Sequence, residues 1–236
     1  MNAPESIDAL LEEADVALDD GENEVALEIF EDVLERDPEH WGAALGRAEA
    51  LHMLWRLEEA LAAVRALIPP EDEEDDPDRA DLEGRILEGL ARFEEADRMF
   101  AIASGLEPDE FPAAVRLEAE EFRALLDKVL GALPRVIREA VLEVPVVVEA
   151  KPTREMAERE PHINPEILGL FVGTPVGDKV LGGNGYGDVV LLFQRNLERT
   201  GRSRDEVSRE IKLTLLHEYG HYLGFGEEEL EHLGLG

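Results

Sequence analysis

Residues 203–232 read SRDEVSREIKLTLLHEYGHYLGFGEEELEH, and this stretch decides how the C-terminal half folds. Ser203 and Glu206 form the S-x-x-E pattern of a capping box, which starts a helix. Val207, Ile211, Leu215 and Leu216 then recur at helical spacing, and Gly224 and Gly226 are natural stops. Inside this helix lies His217-Glu218-Tyr219-Gly220-His221, an HExxH pattern. Residues i and i+4 lie one above the other on a helix, so both imidazoles can reach a single ion. Glu218, next to the first histidine, faces the position left for water, as in a zinc hydrolase. The competing reading is a helix with two partly buried histidines, and the cap, periodicity and terminal glycine weigh against it.

A catalytic zinc site needs a third protein ligand. Gly224 permits a sharp turn, which lets a side chain six residues after His221 return to the metal. That residue is Glu227, giving HExxHxxGxxE. Metzincins place a ligand at this offset, although no methionine follows Met156 to supply their Met-turn. Carboxylate oxygen binds zinc at about 2.0–2.2 Å. Glu228 is the runner-up, and Glu229, Glu231 and His232 stay open. The bland alternative for this acidic run is a solvated helix start favoured by the helix dipole.

Composition narrows the classes. The chain has 236 residues and a formal charge of −33. Residues 1–110 carry 34 of the 56 acidic residues but only 8 of the 23 basic ones. That asymmetry predicts two modules and argues against nucleic acid or an anionic membrane as partner. There is no cysteine, so a zinc site must use nitrogen and oxygen ligands. The N-terminus lacks the basic and apolar regions of a signal peptide, and no apolar run reaches membrane-span length. A cytoplasmic protein is expected. Nothing in the sequence sets an oligomeric state.

The first half repeats. Ala26, Ala60 and Ala96 align, spaced by 34 and 36 residues. Each follows a turn and an acidic entry: Gly21-Glu-Asn-Glu-Val, Trp55-Arg-Leu-Glu-Glu and Ala91-Arg-Phe-Glu-Glu. Phe30, Val64 and Phe100 come one turn later, and Ala14, Ala48 and Gly84 fill the small position of each first helix. Pro38 and Pro108 close the outer units, and Pro69-Pro70 closes the middle one. The pattern resembles the tetratricopeptide repeat over about residues 7–108. That resemblance implies three stacked hairpins that recruit a peptide or protein partner. The acidic linker 71–78 lacks the glycine and ligand spacing of a calcium loop and reads as a solvated inter-repeat loop.

The second half reads as α+β. A helix over residues 113–130 would cap the repeats, and Pro134 opens a short helix ending near Leu142. Strands are expected over 144–150, 169–173 and 188–193, with a glycine-rich turn at 182–187. The last strand is a candidate edge for aligning a substrate backbone. The quoted residues then carry a wider resemblance. Phe122-Arg-Ala-Leu-Leu-Asp, Ala132-Leu-Pro134, Gly169-Leu-Phe-Val-Gly173 and Val190-Leu-Leu-Phe-Gln-Arg-Asn196 surround the metal motif. With Thr214 to His221 and Leu230-Glu-His-Leu-Gly234, they resemble the minimal zincin-like metallopeptidases of bacteria over about residues 115–236. The resemblance implies a compact zincin core and an acidic third ligand near Glu227.

The expected protein therefore has two domains. Residues 1–110 form an all-α tetratricopeptide-like repeat, and residues 111–236 a small α+β zincin-like domain. The expected activity is zinc-dependent peptide hydrolysis with one Zn2+. His217, His221 and Glu227 are the ligands, Glu218 the general base, and Tyr222, Tyr186 or His232 the oxyanion donor. The substrate would be a peptide or protein, with a further protein partner held by the repeats. Two other classes compete: a non-catalytic zinc-containing interaction scaffold, and a zinc hydrolase of a non-peptide amide.

Overall fold

The computed structural model describes residues 6–67, 75–159, 163–174 and 188–233. The glycine-rich turn, Tyr186 and half of the acidic linker, residues 71–74, lie outside the described residues. The chain divides into two compact units, Met1–Ala113 with Thr153–Pro165, and Ala114–Pro152 with Glu166–Gly236.

The first unit is built from three helical hairpins. Their helices are α1 (Ile7–Asp19) with α2 (Asn23–Arg36), α3 (Trp41–Met53) with α4 (Leu57–Ala66), and α5 (Pro77–Gly89) with α6 (Phe93–Leu106). Each hairpin turns in the same way. Gly21, Trp55 and Ala91 sit at φ +75°, +59° and +56°, in the left-handed region. The next N–H closes each first helix: Glu22 to the Ala17 carbonyl at 2.8 Å, Arg56 to Leu51 at 2.9 Å, and Arg92 to Leu87 at 2.8 Å. This is the Schellman ending, repeated at the sequence spacing of the alanines. Glycine adopts it freely, whereas tryptophan and alanine each give up about 1–2 kcal/mol.

The small residues are small because helices meet on them. Ala14, Ala48, Ala26, Ala60 and Ala96 are fully buried. A methyl group at Gly46 would sit 2.3 Å from the Phe30 ring, and one at Gly84 would sit 2.6 Å from the Phe100 ring. Each glycine thus receives the aromatic ring of a neighbouring helix face. The segment Thr153–Pro165, which contains the short helix α9 (Arg154–Ala157), joins this unit. There the buried Trp55 indole N–H donates to the Ile163 carbonyl at 2.9 Å.

Among the described residues, the second unit places helices against a three-stranded sheet. Its elements are α7 (Ala119–Ala132), α8 (Arg135–Glu143), β1 (Val146–Glu149), β2 (Gly169–Val172), β3 (Val189–Phe193), α10 (Gln194–Arg199), α11 (Arg204–Leu223) and α12 (Glu227–His232). The strand order is β1-β3-β2, with β1 parallel and β2 antiparallel to β3. Two expectations are corrected here. The strand 188–193 is central rather than an edge, because both of its sides are paired; among the described residues β1 and β2 are the edges. The helix expected over 113–130 as a repeat cap begins at Ala119 and packs instead into the core of the second unit. Residues before it stay extended because Glu198 holds them: Val115 N–H donates to its carbonyl at 3.1 Å, and Leu117 N–H to its buried carboxylate at 3.0 Å.

One core unites this unit. Phe122, Leu126 and Val129 of α7 share it with Val207, Ile211, Leu215 and Tyr219 of α11 and with Val190 and Leu192 of β3. The sequence periodicity thus points the apolar stripe of α11 into this core. Among the described residues, no helix is long and apolar enough to cross a membrane.

Candidate metal centre

Helix α11 starts where the Ser203 hydroxyl accepts the Glu206 N–H at 3.3 Å. The Glu206 carboxylate takes the Arg202 N–H at 2.6 Å. The helix ends at Gly224, whose φ of +94° reverses the chain, and Phe225 N–H then reaches the Gly220 carbonyl at 3.0 Å. After the turn, α12 lies back against α11. Leu230 is fully buried, and a methyl group at Gly220 would meet its Cδ2 at 2.4 Å. The glycine inside the HExxH motif is therefore what lets α12 approach, and the approach carries Glu227 toward the histidines.

His217, His221 and Glu227 each offer one ligand atom, all within 4.8 Å of one another. The two Nε2 atoms face each other at 2.9 Å. Glu227 Oε1 lies 3.2 Å from His221 Nε2, and Oε2 lies 3.8 Å from His217 Nε2. Tetrahedral zinc with bonds of about 2.0–2.2 Å separates its ligand atoms by about 3.3–3.6 Å. The observed spacings bracket that range, and two imidazoles with one carboxylate form a known zinc donor set. His221 Nδ1 lies 3.3 Å from the Phe225 carbonyl. This contact puts the N–H on Nδ1 and leaves the Nε2 lone pair turned to the ion.

Glu218 has a different environment. It is 7% exposed, against the edge strand β2, where the Phe171 backbone N–H donates to its Oε2 at 2.6 Å. Burial pushes its carboxyl up to about 7. His217 and the Phe171 hydrogen bond hold it lower, and Glu227 adds a smaller upward push. A carboxyl titrating near neutrality suits proton transfer. Gly169 makes this closeness possible, since a methyl group there would sit 2.5 Å from Thr214 Cγ2 and 3.2 Å from Glu218 Cγ.

The other candidates fall elsewhere. Tyr222 turns its hydroxyl to Glu143 Oε2 at 2.8 Å and packs edge-on against Phe171, with ring centroids 5.7 Å apart. This fastens α11 to α8 and points the hydroxyl at a carboxylate rather than a substrate carbonyl. Tyr219 is fully buried and donates to the Val144 carbonyl at 2.6 Å. Glu228 and His232 are exposed on α12, His232 Nδ1 faces the Glu228 carbonyl, and neither joins the ligand cluster. Glu229 accepts the Gly226 N–H at 3.0 Å and so caps α12.

Three features escape the sequence pattern: Gly169, Phe171 and the Gly220–Leu230 contact. A glycine opening a strand, and another inside a metal helix, are signals of close backbone approach.

Comparison with known families agrees with this layout. Residues 141–236 match the family model of a zincin-like metallopeptidase, and residues 11–78 match that of a tetratricopeptide repeat. No curated protein matches the chain. The chain thus carries helical repeats followed by a zincin-like region. The third hairpin lies largely beyond the matched repeat residues, yet its turn at Ala91 repeats the geometry of the other two.

Proposed function

We propose that this protein is a zinc-dependent peptidase whose repeats recruit a peptide or protein partner. The observation that carries the reading is the juxtaposition of two environments on one helix. The half-exposed face bears a donor set sized for zinc, and the neighbouring buried position bears a carboxyl raised toward neutrality. A purely structural zinc site has no use for a raised carboxyl beside the ligands.

His217, His221 and Glu227 would hold one ion. When bound, zinc supplies a Lewis acid that polarises the scissile carbonyl and makes water acidic near neutral pH. Glu218 takes the proton from the attacking water as its oxygen bonds to the carbonyl carbon. It then gives that proton to the amide nitrogen as the C–N bond breaks. The Phe171 N–H holds the carboxylate in place while it works. Edge strand β2, unpaired on its outer side by any described strand, is the natural rail for an extended substrate.

The test is a peptide-library digestion with the zinc-loaded protein, a chelated sample and Glu218→Gln. Cleavage by the first alone supports the proposal. Equal cleavage by Glu218→Gln removes Glu218 from the mechanism. Cleavage of no peptide by zinc-loaded wild type leaves a zinc-holding interaction scaffold or a hydrolase of another amide as the better reading.

A further inference from the structure

The chain leaves the C-terminal unit after Pro152 and returns at Glu166, three residues before β2. The four-residue edge strand therefore comes after a long excursion, and among the described residues it has one neighbouring strand, β3, to set its register. A network of two buried and two half-buried side chains closes the neck of that excursion. Lys151, with its side chain 5% exposed, lies 3.4 Å from Glu166 Oε1 and donates to Asn196 Oδ1 at 2.5 Å. Arg199 donates to the other Glu166 oxygen at 2.8 Å. Asn196 Nδ2 donates to the Ile167 carbonyl at 2.6 Å, and Arg195 N–H to the Ala150 carbonyl at 3.1 Å.

Such a cluster is a poor way to gain stability, because burying charge costs about what the pairing returns. What it does give is a unique position for the chain at residue 167. Two residues on, Gly169 wedges against Thr214 and Glu218. Two further on, the Phe171 N–H meets the Glu218 carboxylate.

We infer that Glu166 is a positioning residue for Glu218, acting through Lys151, Asn196 and Arg199 to fix the register of β2 along α11. The inference rests on the proposed role of Glu218 as base. Its geometric content can be read without turnover.

The experiment labels the full chain with ¹⁵N-phenylalanine and assigns the Phe171 amide by its loss in Phe171→Leu. At pH 8, where Glu218 is ionised, Glu218→Gln should move the Phe171 amide proton upfield, because a neutral amide accepts more weakly than a carboxylate. Glu166→Gln should move it in the same direction, and Arg199→Gln by less. In the cleaving enzyme, Glu166→Gln should lower kcat by about ten- to a hundredfold with KM nearly constant, the scale of a small misplacement of a reacting group. A folded Glu166→Gln that leaves the Phe171 resonance in place overturns the inference, even if its Tm falls. If Glu166→Gln does not fold, an unchanged resonance in Arg199→Gln overturns it instead. An inactive wild type would count against the peptidase reading alone, because the amide resonance still decides this one.

Discussion

Two helix endings in this molecule use the same left-handed turn for different ends. In the repeats, Gly21, Trp55 and Ala91 occupy equivalent turns, and the geometry persists although the residue changes. At the end of α11, Gly224 makes a left-handed turn once, and it gathers the candidate ligands: α12 returns and Glu227 reaches the two histidines. Repeats tolerate a strained residue because three hairpins share the load through a common core. The candidate metal centre has no such redundancy. One glycine turn, two glycine contacts and one edge strand each carry a separate part of it.

That contrast can be broken most sharply at the ligands. His217→Ala and His221→Ala should each lower zinc affinity by more than about a hundredfold, beyond what supporting residues usually cost. Glu227→Ala should weaken it by less, and Glu228→Ala not at all. Zinc titration of the four proteins checks this, while helical content from circular dichroism stays at the wild-type level. A Glu228→Ala defect equal to that of Glu227→Ala would reassign the third ligand.

A second effect concerns Glu218 in the zinc-free protein. Its folded carboxyl titrates near 7 and so stays protonated where the unfolded chain, near its ordinary value of 4.5, has lost the proton. Wild-type stability should therefore fall as pH rises through 4.5 to 7 and level off above. Glu218→Gln removes the titration, so it should be the more stable protein at pH 8, by up to about 3 kcal/mol. The gap should close toward pH 4.5. Urea unfolding at several pH values measures it, and a pH-independent gap would contradict a buried, raised carboxyl.

Paired glycine substitutions come next. Gly220→Ala should push Leu230 and α12 away and lower zinc affinity by about ten- to a hundredfold. Gly46→Ala forces a methyl group into the Phe30 ring, costing about 1–3 kcal/mol of stability with zinc affinity unchanged. Equal zinc affinity in both variants would dissolve the distinction. The smallest effect is Ala91→Gly, which relieves a left-handed alanine and should stabilise the repeats by up to about 1 kcal/mol. A lower Tm in that variant would mean that the turn is not strained.

The same contrast separates what is legible in the sequence from what is not. The repeats are legible because the small residue, the bulky residue one turn on and the turn itself recur together, so each unit vouches for the next. The helix that bears HExxH is legible because a cap, an apolar stripe and the motif agree over twenty residues. The strands are legible as apolar runs, but not their order in the sheet. That depends on β1 pairing in parallel with β3 across a long excursion, a contact no local pattern encodes. Glu227, Glu228, Glu229 and Glu231 are chemically alike in sequence. They are separated in the structure by the Leu230–Gly220 contact, which sets how α12 lies. Tyr222 looks free for catalysis in the sequence because its partner, Glu143, is distant in the chain.

The metal centre is tested most directly by a crystal of the zinc-loaded protein with data collected across the zinc absorption edge. One anomalous peak is expected within about 2.2 Å of His217 Nε2, His221 Nε2 and a Glu227 oxygen, with the Glu218 carboxylate near but not bound. A peak ligated by Glu218, by Glu228 or away from both histidines would contradict the assignment of ligands and base.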